Sequence, residues 1–162
     1  MGPPPPPVNI SFEDDPEVPI GETWVDKGVS QNVNGYRTAS LRGWSFELML
    51  GGSINIREKM TMFWHNHFVT SDINDPRYSY KYIELLRSNA LGNFKQLTKD
   101  VTVDPAMLNY LNGRDNTKQA PNENYARELM ELFTLGKGNS AGPGDYTTYT
   151  LSLIHISEPT RP

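Results

Sequence analysis

"NENYARELMELFTLG", residues 122–136, is a helix whose start and stop are both legible. Asn122 offers a side-chain oxygen to the first free backbone N–H groups. Glu123 stands in the first turn, where the helix dipole favours negative charge, and Gly136 is placed to end the helix in a left-handed turn. Glu123, Arg127 and Glu131 follow one another at i, i+4, a chain of weak surface ion pairs. Glu128 has no cation three or four positions away. On a helical wheel it lies between Leu132 and Leu135, at the edge of the apolar face. A carboxylate there needs a partner from elsewhere, because burying an unpaired charge is costly. An inter-helix arginine such as Arg57, or a histidine, would serve.

The neighbouring segments share this helical period. "RTASLRGWSFELMLGG" spaces Leu41, Trp44 and Leu48 helically and ends on glycines. "SINIREKMTMFWHNHF" opens on Ser53 as a plausible N-cap, and "SYKYIELLRSNALGNF" stops near Gly92. "NFKQLTKDVTVDPAMLNYLNG" divides into two short helices, with Pro105 at the start of the second and Gly113 at its end. No segment sustains a two-residue alternation, so the expected class is all-α: an irregular multi-helix domain over residues 36–150. Residues 1–35 begin with "GPPPPPV" and continue through acidic "FEDDPEVP". They read as an extended or disordered, solvated Pro-rich segment.

The chain has 162 residues and no cysteine, which removes disulfides, zinc–thiolate sites and a cysteine nucleophile. Its net charge of −4 argues against nucleic acid as a partner. No apolar run is long enough for a membrane span, and no signal peptide is visible.

Together, "REKMTMFWHNHF", "ALGNFKQLTKDVTVDPAMLNYLNG" and "APNENYARELMELFTLGKG" closely resemble the bacterial family called domain of unknown function 1800. The resemblance runs from about Val18 to about Tyr146. It implies a largely helical fold and, for many members, export to the periplasm or outside the cell. It also implies a longer domain, so that packing partners of these helices would be missing here and apolar patches exposed. The family carries no established activity. The final "LSLIHISEPTRP", residues 151–162, instead resembles a translated sequencing-library adapter and is expected not to pack.

"MFWHNHFVT", residues 62–70, holds the residues of chemical interest. Histidines at i, i+2 share a face on a strand, but on a helix they lie about 200° apart. With Ile56 as origin, the apolar face gathers Ile56, Met60, Phe63 and Trp64, with His67 at its centre and His65 opposite, beside Glu58 and Thr61. His67 is therefore expected to be buried and His65 more exposed, with Trp64 and Phe68 in the core. The simplest way to satisfy Glu128 is to bring it to His67 or near Arg57. His65, His67 and Glu128 are the candidate catalytic acid–base groups. They are also the candidate ligands for a divalent metal, since two histidines and a carboxylate can hold zinc or iron with an open position. The bland alternatives are a hydrogen-bonded core histidine for His67 and a solvated face for His65. "LNGRDNTKQAPNEN", with Arg114 and Lys118 ahead of a helix N-terminus, could hold an anion but reads more simply as a surface loop.

Two functions follow. One is an uncharacterised domain acting as a metal-assisted or His/Glu-dependent hydrolase. The other is a non-catalytic structural or binding module for surface assembly or carbohydrate handling, in which the motif residues fix helix packing.

Overall fold

The computed structural model describes residues 3–28, 32–51, 56–71, 73–117, 122–143 and 145–150, with backbone only at 145 and 146. The adapter-like tail and the Ser53 cap lie outside the described residues, as does Lys118. The fold is all-α, as the periodicity requires. The helices are α1 (Asn34–Gly51), α2 (Arg57–His67), α3 (Pro76–Ser88), α4 (Phe94–Thr102), α5 (Pro105–Tyr110) and α6 (Glu123–Glu128). A π-helical turn, Leu129–Thr134, continues α6. A two-stranded antiparallel ribbon pairs β1 (Ser140–Gly142) with β2 (Asp145–Tyr146), strands too short to show an alternation in sequence. Among the described residues no helix is long and apolar enough to cross a membrane.

The helix ends follow the local chemistry. Asp75 and Asp104 each cap a helix that begins with proline, accepting from Arg77 N and Ala106 N. Proline suits that first position, where its missing N–H is no loss. Because of the Asp75–Pro76 signal, α3 starts three residues before the "SYKY" stretch. Asn93 and Asn122 cap α4 and α6 through Gln96 N and Tyr125 N. Gly136, at φ +76°, turns the chain so that its N–H bonds the Met130 carbonyl.

Two compact units form: Met1–Trp64 with Ile73–Leu91, and His65–Asp72 with Gly92–Pro162. In the first, α1 and α3 pack together, and Leu41 and Trp44 meet Val18, Trp24 and Val25. Leu48, Tyr80 and Ile83 extend that core, with the Trp44 and Tyr80 ring centroids 5.3 Å apart.

A solvated linker does not describe residues 3–28. They form no helix, but Val18 and Trp24 are fully buried. The cause is Arg37, 1 % exposed on the core face of α1. Its guanidinium donates to both Asp15 oxygens at 2.7 and 3.1 Å, to Glu17 at 3.0 Å and to the Gly28 carbonyl at 3.0 Å. A buried cation must be paired in this way, and the partners come from the acidic arm. Buried Asn9 holds the arm's own turn by donating to the Asp15 and Val18 carbonyls.

In the second unit, Leu97 and Val101 of α4, Ala106 and Met107 of α5, and Tyr125, Ala126, Met130 and Phe133 are buried. The Tyr125 hydroxyl donates to the Thr102 carbonyl. Gly113 lies under the Tyr125 ring, where an added Cβ would come within 2.8 Å of Tyr125 and Leu108.

Asp15→Asn or Arg37→Met, each leaving the other partner buried and incompletely paired, should lower stability by about 3–5 kcal/mol. The double variant should lose less than the sum of the two, measured by urea denaturation. Gly113→Ala should cost at least about 1–3 kcal/mol through overpacking, read the same way.

Candidate functional site

The helix that carries the histidines is rotated relative to its sequence pattern. On α2 Thr61 is buried and Arg57, Glu58, Met60, Trp64, His65 and His67 are half-buried, with buried Phe68 just beyond the helix end. Except for Met60 and His67, those positions fall within about 60° of Thr61 on a wheel. Ile56, Met62 and Phe63 are more than half exposed. The face that looks polar in sequence is therefore the inward one.

Its polar groups explain the choice. Glu58 accepts from Arg87 of α3 at 2.8 Å (Nε) and 2.7 Å (Nη2). Arg57 donates to the Arg87 carbonyl at 3.1 Å, an acceptor in the last turn of α3 that also takes the Ala90 N–H. Thr61 donates back to the Arg57 carbonyl, and Trp64 Nε1 donates to the Ala90 carbonyl at 3.0 Å. Turning the helix to bury Ile56 and Phe63 would forfeit the bonds to Arg87 and Ala90, the Thr61 bond being internal to α2. The expectation that His67 is the more buried histidine and His65 the exposed one is corrected accordingly: both are half-buried. Desolvation pushes the pKa of His65 below its ordinary value of 6.5.

His67 Nε2 lies 2.8 Å from the Phe133 carbonyl oxygen, which can only accept, so the imidazole carries its proton there. Three phenylalanine rings surround it: Phe68, Phe94 and Phe133, at centroid distances of 4.7, 6.1 and 6.4 Å. Phe68, fully buried as expected, stacks on Phe94. Trp64 is only half-buried. The bond expected from His67 to the Glu128 carboxylate is thus, at Nε2, a bond to a backbone carbonyl one turn further along. Among the described residues no three His, Asp or Glu side chains are placed to hold one ion, so His65, His67 and Glu128 do not assemble as a ligand set here.

The described parts of the polar loop, up to residue 117 and from residue 122, are bonded to one another. Buried Asn116 accepts the Asn122 N–H at 2.7 Å, and Asn122 donates to the Leu111 and Asn112 carbonyls. Arg114 is exposed beside Asp115. Asp104 is held above the usual carboxylate range by burial, against two backbone hydrogen bonds that oppose the shift.

Sequence reasoning missed a second cluster. Burial raises the pKa of Glu84, with Arg87 opposing and Glu58 adding to the rise. Its Oε1 is buried with no hydrogen-bond partner among the described residues. The Glu58–Arg87 pair lines a groove of about 1030 Å3 in the first unit, together with Pro4–Pro7 and the Trp44 face of α1. Only the i, i+3 spacing of Glu84 and Arg87 hinted at it, and that spacing does not reveal Glu58.

The family described as "Protein of unknown function (DUF1800)" matches the chain over residues 13–151. Neither the curated proteins nor the solved structures contain a match to it.

Since the folded His65 binds its proton more weakly than the unfolded one, the unfolded state holds more protons as pH falls through 6.5. Stability should therefore drop on acidification below that point. Raised Glu84 and Asp104 act in the opposite direction above the ordinary carboxylate pKa, so a difference experiment isolates His65. His65→Asn should flatten the fall in melting temperature between about pH 7.5 and 5.5; an unchanged slope would contradict the assignment.

Proposed function

Because the chain belongs to the DUF1800 family of proteins of unknown function, we propose from its own geometry that it is a non-catalytic helical binding module. The observation that carries this is the engagement of His67. Its Nε2 is bonded to the Phe133 carbonyl inside a nest of three phenylalanines. A histidine so held fixes the packing of the residues around it. The ligand-sized groove lies in the first unit, along α1, at the upper end of the volume range of small-molecule sites.

The hydrolase reading keeps one favourable observation. Burial holds His65 below its ordinary pKa, so its imidazole is neutral near pH 7 and able to accept a proton or bind a metal. A carbonyl on one nitrogen of His67 would also suit a metal-ligating histidine, but such a site needs further ligands converging on the same point.

Melting with and without added zinc separates the two. On the binding-module reading, zinc leaves the melting temperature unchanged, while His67→Ala lowers stability by about 1–3 kcal/mol through the lost bond and packing. A rise in melting temperature with zinc that disappears in both His65→Ala and His67→Ala would establish the metal site instead.

A further inference from the structure

The proline-rich arm lies on α1 as a ligand lies in a receptor. The Pro5 carbonyl accepts from Trp44 Nε1 at 2.8 Å, the Val8 carbonyl accepts from Ser40 at 3.4 Å, and the Ile10 N–H donates to the Tyr36 hydroxyl at 3.0 Å. Thr23 donates to the Pro7 carbonyl at 2.9 Å. As the arm's numbering rises, its α1 partners fall from 44 to 36, so the two run antiparallel. All four bonds go to the arm's backbone. An aromatic-lined groove that takes an extended proline strand is how proline-rich peptides are recognised in general, and Trp44 is the aromatic donor to this one. Such a strand also loses little conformational entropy on docking.

The groove continues beyond the Pro5–Trp44 bond, where Pro4 of the arm still lines it. From Trp44, α1 runs on to Gly51, about 10 Å at the helical rise, or about three more residues of a polyproline II strand. Leu48 and Gly51 line that stretch, with Glu47 and the Glu58–Arg87 pair beside it. The charged residues lining the groove are Glu47, Glu58 and Arg87, two carboxylates to one guanidinium, so this end carries an excess negative charge.

We propose that the α1 groove is a docking site for a proline-rich peptide bearing lysine or arginine just before its prolines, and that residues 3–8 act as a built-in competitor for it. The prolines would take the stretch from Ser40 to just beyond Trp44, and the basic residues would meet Glu47 and Glu58. Asn9, bonded into the turn of the arm, is the pivot about which residues 3–8 could lift while the Arg37 cluster stays closed. This rests on the binding-module reading and narrows it to one ligand class.

The test uses tryptophan fluorescence with two acetylated peptides, residues 3–10 preceded by Lys-Lys or by Glu-Glu. They are titrated into the full chain and into a variant carrying Pro3→Gly, Pro4→Ser, Pro5→Gly, Pro6→Ser and Pro7→Gly. The variant should bind the Lys-Lys peptide saturably, and the intact chain at least about tenfold more weakly, because a tethered competitor acts at millimolar effective concentration. The Glu-Glu peptide should bind more weakly at low salt, the gap closing as salt is raised. Trp44→Phe in the variant should weaken binding several-fold. No saturable binding to a cooperatively melting variant, equal binding by intact chain and variant, or indifference to peptide charge would each overturn the proposal. If the five-fold variant does not fold, Pro5→Gly in the otherwise intact chain must bind the Lys-Lys peptide more tightly than the parent, and unchanged affinity overturns it. Absence of peptide binding together with zinc-independent melting would remove this ligand and leave the binding module standing.

Discussion

Arg37 has to be neutralised, and the first unit is arranged around that need. A guanidinium 1 % exposed on the core face of α1 offers five donors that water cannot reach. Asp15 takes two of them, and Glu17 and the Gly28 carbonyl take others. To deliver these acceptors, an arm without regular secondary structure has to fold back over the helix. Once there, it lays Val18, Trp24 and Val25 against Leu41 and Trp44. The ion pair need not be a large net source of stability, since desolvation offsets much of its attraction. It specifies where the arm goes.

The same priority of polar satisfaction over apolar pattern sets α2. Counting hydrophobic residues alone, Ile56, Met60 and Phe63 should face inward. Glu58 and Arg57 instead find partners on α3, and Trp64 reaches the Ala90 carbonyl. An exposed phenylalanine forfeits about 25 cal/mol for each Å2 left in water, whereas stranding a charged group is costlier still. His65 is carried inward with that face and becomes the histidine whose titration is shifted by desolvation.

The two histidines of one short motif thus take different parts. His67 serves the second unit through its bond to Phe133 and its aromatic neighbours. The groove that could receive a ligand is built in the first unit from α1, the proline arm and the Glu58–Arg87 pair. Motif density in the sequence and ligand-sized space in the fold do not coincide, because large aromatic residues cluster where burial is needed.

Much of the fold is written locally. Asn122, Pro105 and Gly136 announce helix ends because caps, ring constraints and positive φ act within a few residues. Leu41, Trp44 and Leu48 mark the buried face of α1 because a single helix face is enough to decide them. The candidate site was less legible. That His65 and His67 could not share a face followed from the helical period, but which of them turned inward did not. The burial of Trp24 in a segment composed like a linker, the rotation of α2 and the partner of His67 were likewise decided only by the tertiary structure. Each depends on a group tens of residues away: Asp15 for Arg37, Arg87 for Glu58, Phe133 for His67. Charge and hydrogen-bond pairing across such separations leaves no periodic trace in the sequence, yet in a desolvated interior it outweighs the pattern that does.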